Sequence, residues 1–166
     1  EHFDPGAYMR HLPKVLTAVR ELVGPDVKLL HDAHHRLTPI QAARLAKSVE
    51  EFDLFWLEDV TPAEDQEAFR LVRNASTTPL AVGEVFNTIW DCQRLIEHIR
   101  TAIVHVGGIS HARKVFALAE VHGVKAGPHG PSDVSPIALA ASIHMAAATH
   151  NWGVQEYMGY PAQVHE

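Results

Sequence analysis

The stretch Leu54-Phe55-Trp56-Leu57-Glu58 is a short apolar run that ends in an acid. Large apolar and aromatic side chains in a run of this length predict a buried β-strand. Similar runs end at Asp32 and at Glu84, so the same feature returns after 26 residues in each direction (58 − 32 and 84 − 58). One strand, one helix and their turns take roughly that length, so the three runs predict successive strand–helix units.

Short apolar runs and helical patterns alternate along the chain, which predicts parallel strands joined by right-handed crossovers. The predicted strands are Val27–Asp32, Leu54–Glu58, Leu80–Glu84, His98–Ala102, Val124–Gly127 and Gly153–Glu156. Either a doubly wound sheet or a (β/α) barrel fits this pattern, and six strands are fewer than the eight of a closed barrel. No glycine-rich phosphate loop follows the first strand, which disfavours a dinucleotide-binding fold.

Four helix starts accompany these strands. Thr38-Pro39-Ile40-Gln41 and Thr61-Pro62-Ala63-Glu64 each read as a capping box with proline at the first helical position. Ser110 predicts the cap of a third helix that ends at Gly123, and Ser135 predicts the cap of a fourth. We therefore expect a series of strand–helix units without a linker.

The composition excludes several classes of protein. With 46% hydrophobic and 20% charged residues the chain has a normal globular composition, which argues against disorder. No run approaches about eighteen apolar residues, so no membrane span is expected. A single cysteine and the absence of a secretory pattern in the first residues favour a reducing cytoplasm. The net charge of −6 gives no reason to bind nucleic acid or an anionic membrane.

The three strand-end acids predict a metal site. The carboxyl ends of parallel strands meet at one rim, where active sites of such folds lie. Carboxylates that converge at this rim would repel one another without a cation, and all-oxygen ligation suits Mg²⁺ or Mn²⁺. The alternative is that Asp32, Glu58 and Glu84 are solvated rim acids that belong to no site. Asp59, beside Glu58, would point away from the rim.

Several sequence words in a fixed order resemble the mannonate dehydratase subgroup of the enolase superfamily. They are His31-Asp32-Ala33-His34-His35-Arg36-Leu37-Thr38-Pro39, Phe55-Trp56-Leu57-Glu58-Asp59, Gly83-Glu84-Val85-Phe86-Asn87, Ile99-Arg100-Thr101, His105-Val106-Gly107-Gly108-Ile109, His129-Gly130-Pro131-Ser132-Asp133 and Gly153-Val154-Gln155-Glu156. The resemblance runs through nearly the whole chain. It implies an enolase-superfamily (β/α)8 TIM-type barrel, of which residues 1–166 form a partial barrel domain of about six units, strands 3 to 8. In this family the third, fourth and fifth strands end in the metal ligands, positions that match Asp32, Glu58 and Glu84.

The same resemblance implies an Mg²⁺-dependent sugar-acid dehydratase. D-Mannonate, converted to 2-keto-3-deoxy-D-gluconate and water, is the first expected aldonic acid, and D-gluconate is a close second. In the family a base removes the proton at C2 and the hydroxyl at C3 leaves as water. The rival hypothesis is a non-catalytic protein that binds a metal and a sugar acid, or an inactive fragment.

Five further residues match family site positions. His34 lies two residues beyond Asp32, so on an extended strand end both side chains would face the same way. The resemblance implies that His34 is the general acid for the departing hydroxyl and a substrate contact. His35, one residue further along the strand end, would face the opposite way. The other substrate-binding residues that the resemblance implies are Arg100, His129, Asp133 and Glu156. A bystander histidine and a surface arginine are the structural alternatives for His34 and Arg100.

Family members also carry an N-terminal capping domain, two earlier strands and the tyrosine–arginine pair that supplies the base at C2. We expect these to lie outside residues 1–166, so that these residues alone bind Mg²⁺ weakly and dehydrate no aldonic acid at a useful rate. The stretch 87–100 is shorter than is usual in the family, which predicts a trimmed helix. Exposed strand edges predict a homo-oligomer.

Overall fold

The structure is a computed structural model that describes residues 2–93 and 97–160. The chain divides into two compact units, Glu1–Leu80 and Ala81–Glu166. In each unit parallel strands alternate with helices, so the predicted α/β class is confirmed. The prediction that residues 1–166 form one partial barrel domain stays a prediction.

The first unit contains two paired strands and three α-helices. Its elements are α1 (Pro5–Val23), β1 (Leu30–Asp32), α2 (Pro39–Ser48), a 3-10 helix (Glu50–Phe52), β2 (Trp56–Glu58) and α3 (Gln66–Ala75). β1 and β2 are parallel, and Asp32 stands opposite Glu58 in their register. β1 and β2 therefore end at the same level, each in a carboxylate. In addition to this pairing, the backbone N–H of Leu57 in β2 donates to the carbonyl of Pro79, 2.8 Å away.

Helix capping in this unit follows the sequence at α2 and departs from it at α3. Thr38 accepts from the Gln41 N–H and the Gln41 side chain accepts from the Thr38 N–H, which is the predicted capping box. The box predicted at Thr61 is wrong. Thr61 is fully buried, and α3 begins four residues later than predicted, where the Asp65 carboxylate accepts from the Ala68 N–H. Asp65 can cap because it lies at the exposed end of the connection.

The core of the first unit is made by the inner faces of α2 and α3 and by the strands. Its largest fully buried side chains are those of Leu37, Leu45, Val49, Trp56, Leu57, Phe69, Val72 and Leu80. Burying an apolar side chain of this size stabilises the fold by about 1.5–3 kcal/mol. This packing fixes β2, and with it the position of Glu58.

The second unit begins within β3 and contains three parallel strands in the order β3-β4-β5. Its elements are β3 (Leu80–Val82), a 3-10 helix (Asp91–Gln93), β4 (His98–Ile99), α4 (Ile109–Val121), β5 (Lys125–Ala126) and α5 (Pro136–Ala147). Ser135 caps α5 as predicted, by accepting from the Ile137 N–H. Ser110 does not cap α4, because that helix begins at Ile109 after Gly108. Gly108 has φ 80°, a conformation that glycine adopts without strain.

All predicted strands are shorter in the structure, and the sixth is reduced to one isolated bridge between Ala126 and Trp152. The predicted strand Gly153–Glu156 still runs beside residues 126–130, since Gly153 N–H donates to the Ala126 carbonyl at 2.8 Å. A full ladder cannot form because Pro128 and Pro131 have no N–H to donate. The described part of the chain therefore has five strands, where six were expected.

The trimmed helix predicted within residues 87–100 falls partly outside the described residues. What is described there is the single turn Asp91–Gln93, whose Cys92 is buried. Across residues 2–93 and 97–160, no helix combines the length and the apolar character needed to cross a membrane.

Candidate active site

In the first unit, two carboxylates lie side by side at the ends of neighbouring parallel strands. Asp32 and Glu58 are register partners on β1 and β2. Glu58 is only 2% exposed, and the indole N–H of Trp56 donates to its Oε2 at 2.8 Å. Trp56 therefore holds one carboxylate oxygen in place from within the core. This adjacency is what the 26-residue spacing predicted.

His34 lies beside Asp32, but by a different geometry from the one predicted. β1 ends at Asp32, and His34 has φ 56°, so the chain turns instead of continuing as an extended strand. The Asp32 carboxylate accepts from the His34 N–H at 2.7 Å, and His34 Nε2 lies 3.2 Å from Asp32 Oδ2. The parity argument is thus wrong in its premise, although the imidazole does come next to the carboxylate. The His34 side chain is 57% exposed.

His35 and Asp59 connect the two strand-end loops of this unit. The His35 N–H donates to the Asp59 carbonyl, and His35 Nε2 lies 3.2 Å from Asp59 Oδ2. His35 Nδ1 lies 3.1 Å from the Thr61 carbonyl, and the Asp59 side chain is fully buried. Both residues have positive φ, 60° and 44°. These contacts tie the loop after β1 to the loop after β2.

In the second unit, Arg100 follows β4 and is 3% exposed. Its Nη1 donates to the carbonyls of Gly127 and Pro128 at 2.7 and 3.3 Å, and its Nη2 donates to Glu156 Oε2 at 2.7 Å. The arginine is therefore a buried partner of a loop and a carboxylate, and the alternative of a surface arginine is wrong. Burial of the guanidinium strengthens this ion pair, because little water screens it.

Glu156 accepts several donors at one carboxylate oxygen. Its Oε2 accepts from Arg100 and from the Gly130 N–H, which is 2.9 Å away. Burial raises the pKa of Glu156, but the Gly130 N–H, Arg100 and the charge of His129 lower it by more, so the net shift is downward. Glu156 is therefore ionised at neutral pH.

His129 joins Glu84 to this cluster. His129 Nε2 lies 3.0 Å from Glu84 Oε2 and 3.8 Å from Glu156 Oε2. Burial lowers the pKa of His129, but the hydrogen bond to Glu84 and the charges of Glu156 and Glu84 raise it by more, so the net shift is upward. The imidazole thus lies between two carboxylates that favour its protonated form.

The position of Glu84 depends on a glycine. Gly83 has φ 132°, and a Cβ there would lie 3.1 Å from the Ile99 side chain and 3.3 Å from the Arg100 nitrogen. A larger residue would push β3 and β4 apart just before the acid. His105, to which the sequence assigned no role, lies with its Nδ1 3.0 Å from the Glu84 carbonyl.

Asp133 is the one predicted substrate contact of the second unit that the structure does not bring into this cluster. It lies exposed in the loop before α5 and makes no hydrogen bond or ion pair within residues 2–93 and 97–160. The structure does bring together Glu84, Arg100, His129 and Glu156. The groups that hold these side chains, the Trp56 indole and the carbonyls of Gly127 and Pro128, carry no signal in the sequence pattern.

A sequence profile described as "Enolase C-terminal domain-like" matches residues 3–166. The chain belongs to this family. The resemblance argued from the sequence words is thereby confirmed, together with the α/β fold of an enolase-superfamily C-terminal domain.

Two curated relatives of this enolase-family chain are named as dehydratases of sugar acids. A D-galactonate dehydratase family member of Streptomyces bingchenggensis is 63% identical and is matched over all of this chain and 42% of its own length. A D-mannonate dehydratase of Caulobacter sp. (strain K31) is 53% identical over 91% of this chain and 39% of its own length. The chain thus spans about two fifths of the length of the curated relatives it matches.

A solved enolase-superfamily structure has the same fold as this chain. An enolase from Pantoea ananatis, crystallised with D-gluconate and Mg, matches with a TM-score of 0.92 and 38% identity. The match covers 98% of this chain and 40% of that protein.

Proposed function

We propose that this chain supplies the metal-binding and substrate-binding residues of a sugar-acid dehydratase. The observation that carries the proposal is the register of Asp32 with Glu58, which sets two carboxylates side by side at the ends of parallel strands. The relatives named D-galactonate and D-mannonate dehydratase, and the neighbour that holds D-gluconate and Mg, support the substrate class and the metal.

Asp32, Glu58 and Glu84 are the proposed ligands of the metal. All three offer carboxylate oxygens, which fit Mg²⁺ and, second, Mn²⁺. The indole of Trp56 and the imidazole of His129 each hold one of these carboxylates, as groups around a metal ligand commonly do. A bound Mg²⁺ would stabilise the negative charge that develops on the substrate when the proton leaves C2.

Arg100, His129 and Glu156 are proposed to bind the sugar acid. Arg100 and the Gly130 N–H hold Glu156 through Oε2, and within residues 2–93 and 97–160 Oε1 makes no hydrogen bond. An oriented carboxylate oxygen of this kind can accept a hydrogen bond from a sugar hydroxyl. Asp133, which is exposed beside this loop, is proposed as a further contact that a bound substrate would complete.

His34 is proposed as the acid that protonates the hydroxyl leaving C3. It is exposed enough to meet a substrate and lies 3.2 Å from Asp32, a proposed metal ligand. In an otherwise complete enzyme we expect His34→Asn to lower kcat by about 10²–10⁴-fold, because general acid catalysis contributes about that factor.

The His34→Asn variant should keep its affinity for Mn²⁺, measured by the electron paramagnetic resonance of the free ion. His150→Asn, at an exposed position after α5, is the matched control and should keep both activity and affinity. Unchanged turnover in His34→Asn would show that His34 has no catalytic role.

D-Mannonate is the proposed first substrate, with D-gluconate second, and the relatives add D-galactonate to the set to be tested. The test measures formation of the 2-keto-3-deoxy acid from each, with Mg²⁺ and after chelation by EDTA. In an otherwise complete enzyme, with the C2 base present, we expect product from at least one acid, lost on chelation and restored by Mg²⁺; residues 1–166 alone should bind Mg²⁺ and form no product at a useful rate. Tight binding of a sugar acid by the complete enzyme, without any product, would instead support the non-catalytic alternative.

A further inference from the structure

The side-chain amide of Gln155 lies between α5 and the loop that carries His129. Its Oε1 accepts from the Ser142 hydroxyl at 2.8 Å. Its Nε2 donates to the Pro128 carbonyl at 3.3 Å and to the Glu156 carbonyl at 2.9 Å. Both amide N–H groups and the amide oxygen are thus engaged, which fixes the orientation of the side chain.

The Pro128 carbonyl is an acceptor shared by the residues of the candidate site. Besides Gln155, it accepts from Arg100 Nη1 at 3.3 Å and from the Glu156 N–H at 3.4 Å. Pro128 directly precedes His129 in the chain. A displacement of this carbonyl would therefore disturb its hydrogen bonds with Arg100 and Glu156 and would also shift the backbone of His129.

Gly130 shows how closely the two segments approach each other. A Cβ at Gly130 would lie 2.2 Å from the Glu156 carbonyl oxygen and 3.0 Å from Gln155 Nε2. The Gly130 N–H donates to the Glu156 carboxylate at 2.9 Å. The residues on both sides of His129 are thus held against the 155–156 segment by direct contact, and small shifts would not be absorbed by a flexible side chain.

We propose that Gln155 is a positioning residue for the candidate site. Its amide, oriented by Ser142, joins the 128–130 loop to the 155–156 segment, so that the His129 imidazole and the Glu156 carboxylate stay in the arrangement that binds the sugar acid. Gln155 itself touches no substrate in this scheme. The inference rests on the proposed function and assigns a positioning role to two residues, Ser142 and Gln155, that lie behind the proposed substrate contacts.

Two substitutions at Gln155 separate its hydrogen bonds from its volume. Gln155→Glu keeps the shape and can accept from Ser142, but a carboxylate cannot donate to the two carbonyls and repels them. Gln155→Met keeps the length and makes none of the three bonds. Ser142→Ala removes a single bond, so that the amide oxygen loses its donor while the two bonds from Nε2 remain. The matched control is Gln93→Glu, the same chemical change at an exposed residue of the 3-10 helix.

The test is made in an otherwise complete enzyme and measures kcat and KM with the aldonate that its wild type dehydrates. Rates are expressed per mole of bound Mn²⁺, so that misfolded protein is excluded from the comparison. We expect Gln155→Glu and Gln155→Met to lower kcat/KM by about 10–100-fold, the usual effect of removing a supporting residue. Ser142→Ala should show a smaller loss in the same direction. The Mn²⁺ affinity of the folded fraction and the activity of Gln93→Glu should stay unchanged.

Gln155 variants that keep kcat/KM per bound Mn²⁺ would overturn the inference and leave the proposed function intact. If neither Gln155 variant folds, Ser142→Ala decides, and unchanged kcat/KM in that variant overturns the inference. An otherwise complete wild-type enzyme that binds Mn²⁺ but forms no 2-keto-3-deoxy acid would overturn the proposed function, and the inference with it.

Discussion

Glu58→Gln should abolish most of the metal-dependent activity while leaving the fold intact. The amide oxygen of the variant can still accept from the Trp56 indole, so the buried contact survives. What is lost is one negative charge from a site that we propose holds a divalent cation, and cation affinity follows the charge of the ligands. We expect kcat to fall by about 10²–10³-fold or more and the Mn²⁺ dissociation constant to rise, measured by calorimetry.

The matched control is Glu51→Gln, which removes the same charge from an exposed position on the preceding 3-10 helix. That variant should bind Mn²⁺ with wild-type affinity. Equal Mn²⁺ affinities in wild type, Glu58→Gln and Glu51→Gln would show that Glu58 is a structural acid held by Trp56.

Arg100→Met should destabilise the second unit as well as weaken substrate binding. Arg100 is 3% exposed, and its guanidinium donates hydrogen bonds to the Glu156 carboxylate and to two backbone carbonyls. Removing one partner of a buried ion pair costs about 3–5 kcal/mol when the other partner is left buried and uncompensated; Glu156 is 25% exposed and keeps the Gly130 N–H, which places the expected loss at the lower end of that range. We expect a loss of that size in the free energy of unfolding, measured by urea titration at pH 7.

The effect of Arg100→Met should depend on pH in a defined direction. The pKa of Glu156 in the folded protein lies below its usual value, which is 4.5. The stabilisation linked to this shift is therefore full above pH 4.5 and is lost as the pH falls through the lowered pKa. The difference in stability between wild type and variant should shrink below about pH 4. A difference that stays constant from pH 7 to pH 3 would contradict a role for the ion pair.

Arg113→Met, on the exposed face of α4, is the control for the loss of an arginine. Its free energy of unfolding should change by no more than about 0.5 kcal/mol, as for most surface substitutions. A similar loss in both variants would show that the ion pair of Arg100 with Glu156 adds nothing specific to stability.

The parts of the site that depend on strand ends could be predicted from the sequence. Asp32 and Glu58 end apolar runs of similar length, and the 26 residues between them are repeated between Glu58 and Glu84. Adjacent parallel strands in register end at the same level, which brings Asp32 beside Glu58. Arg100, His129 and Glu156 were identified through the family resemblance, because nothing in their spacing alone shows that they meet. Some of the groups that hold these residues are backbone carbonyls. Every residue has one, so the residue pattern cannot predict which carbonyls take part.

The errors have local causes. The geometry of His34 was mistaken because strand parity stops applying where the chain turns at positive φ. The cap at Thr61 was mistaken because tertiary burial overrode a capping pattern that is convincing by itself. Helix α1 was not among the predicted helices, and its ends carry ordinary signals, Asp4-Pro5 at the start and Gly24 at the end.

The central claim is that Asp32, Glu58 and Glu84 bind one divalent metal ion. Anomalous diffraction from crystals of the protein grown with Mn²⁺ and D-gluconate tests this claim most directly. The account predicts one strong Mn²⁺ peak with a carboxylate oxygen of each of the three acids at about 2.0–2.2 Å. A peak that lacks any of the three, or an Mn²⁺ ion bound elsewhere with these carboxylates more than about 8 Å apart, would contradict it, because no single ion reaches ligands at that separation.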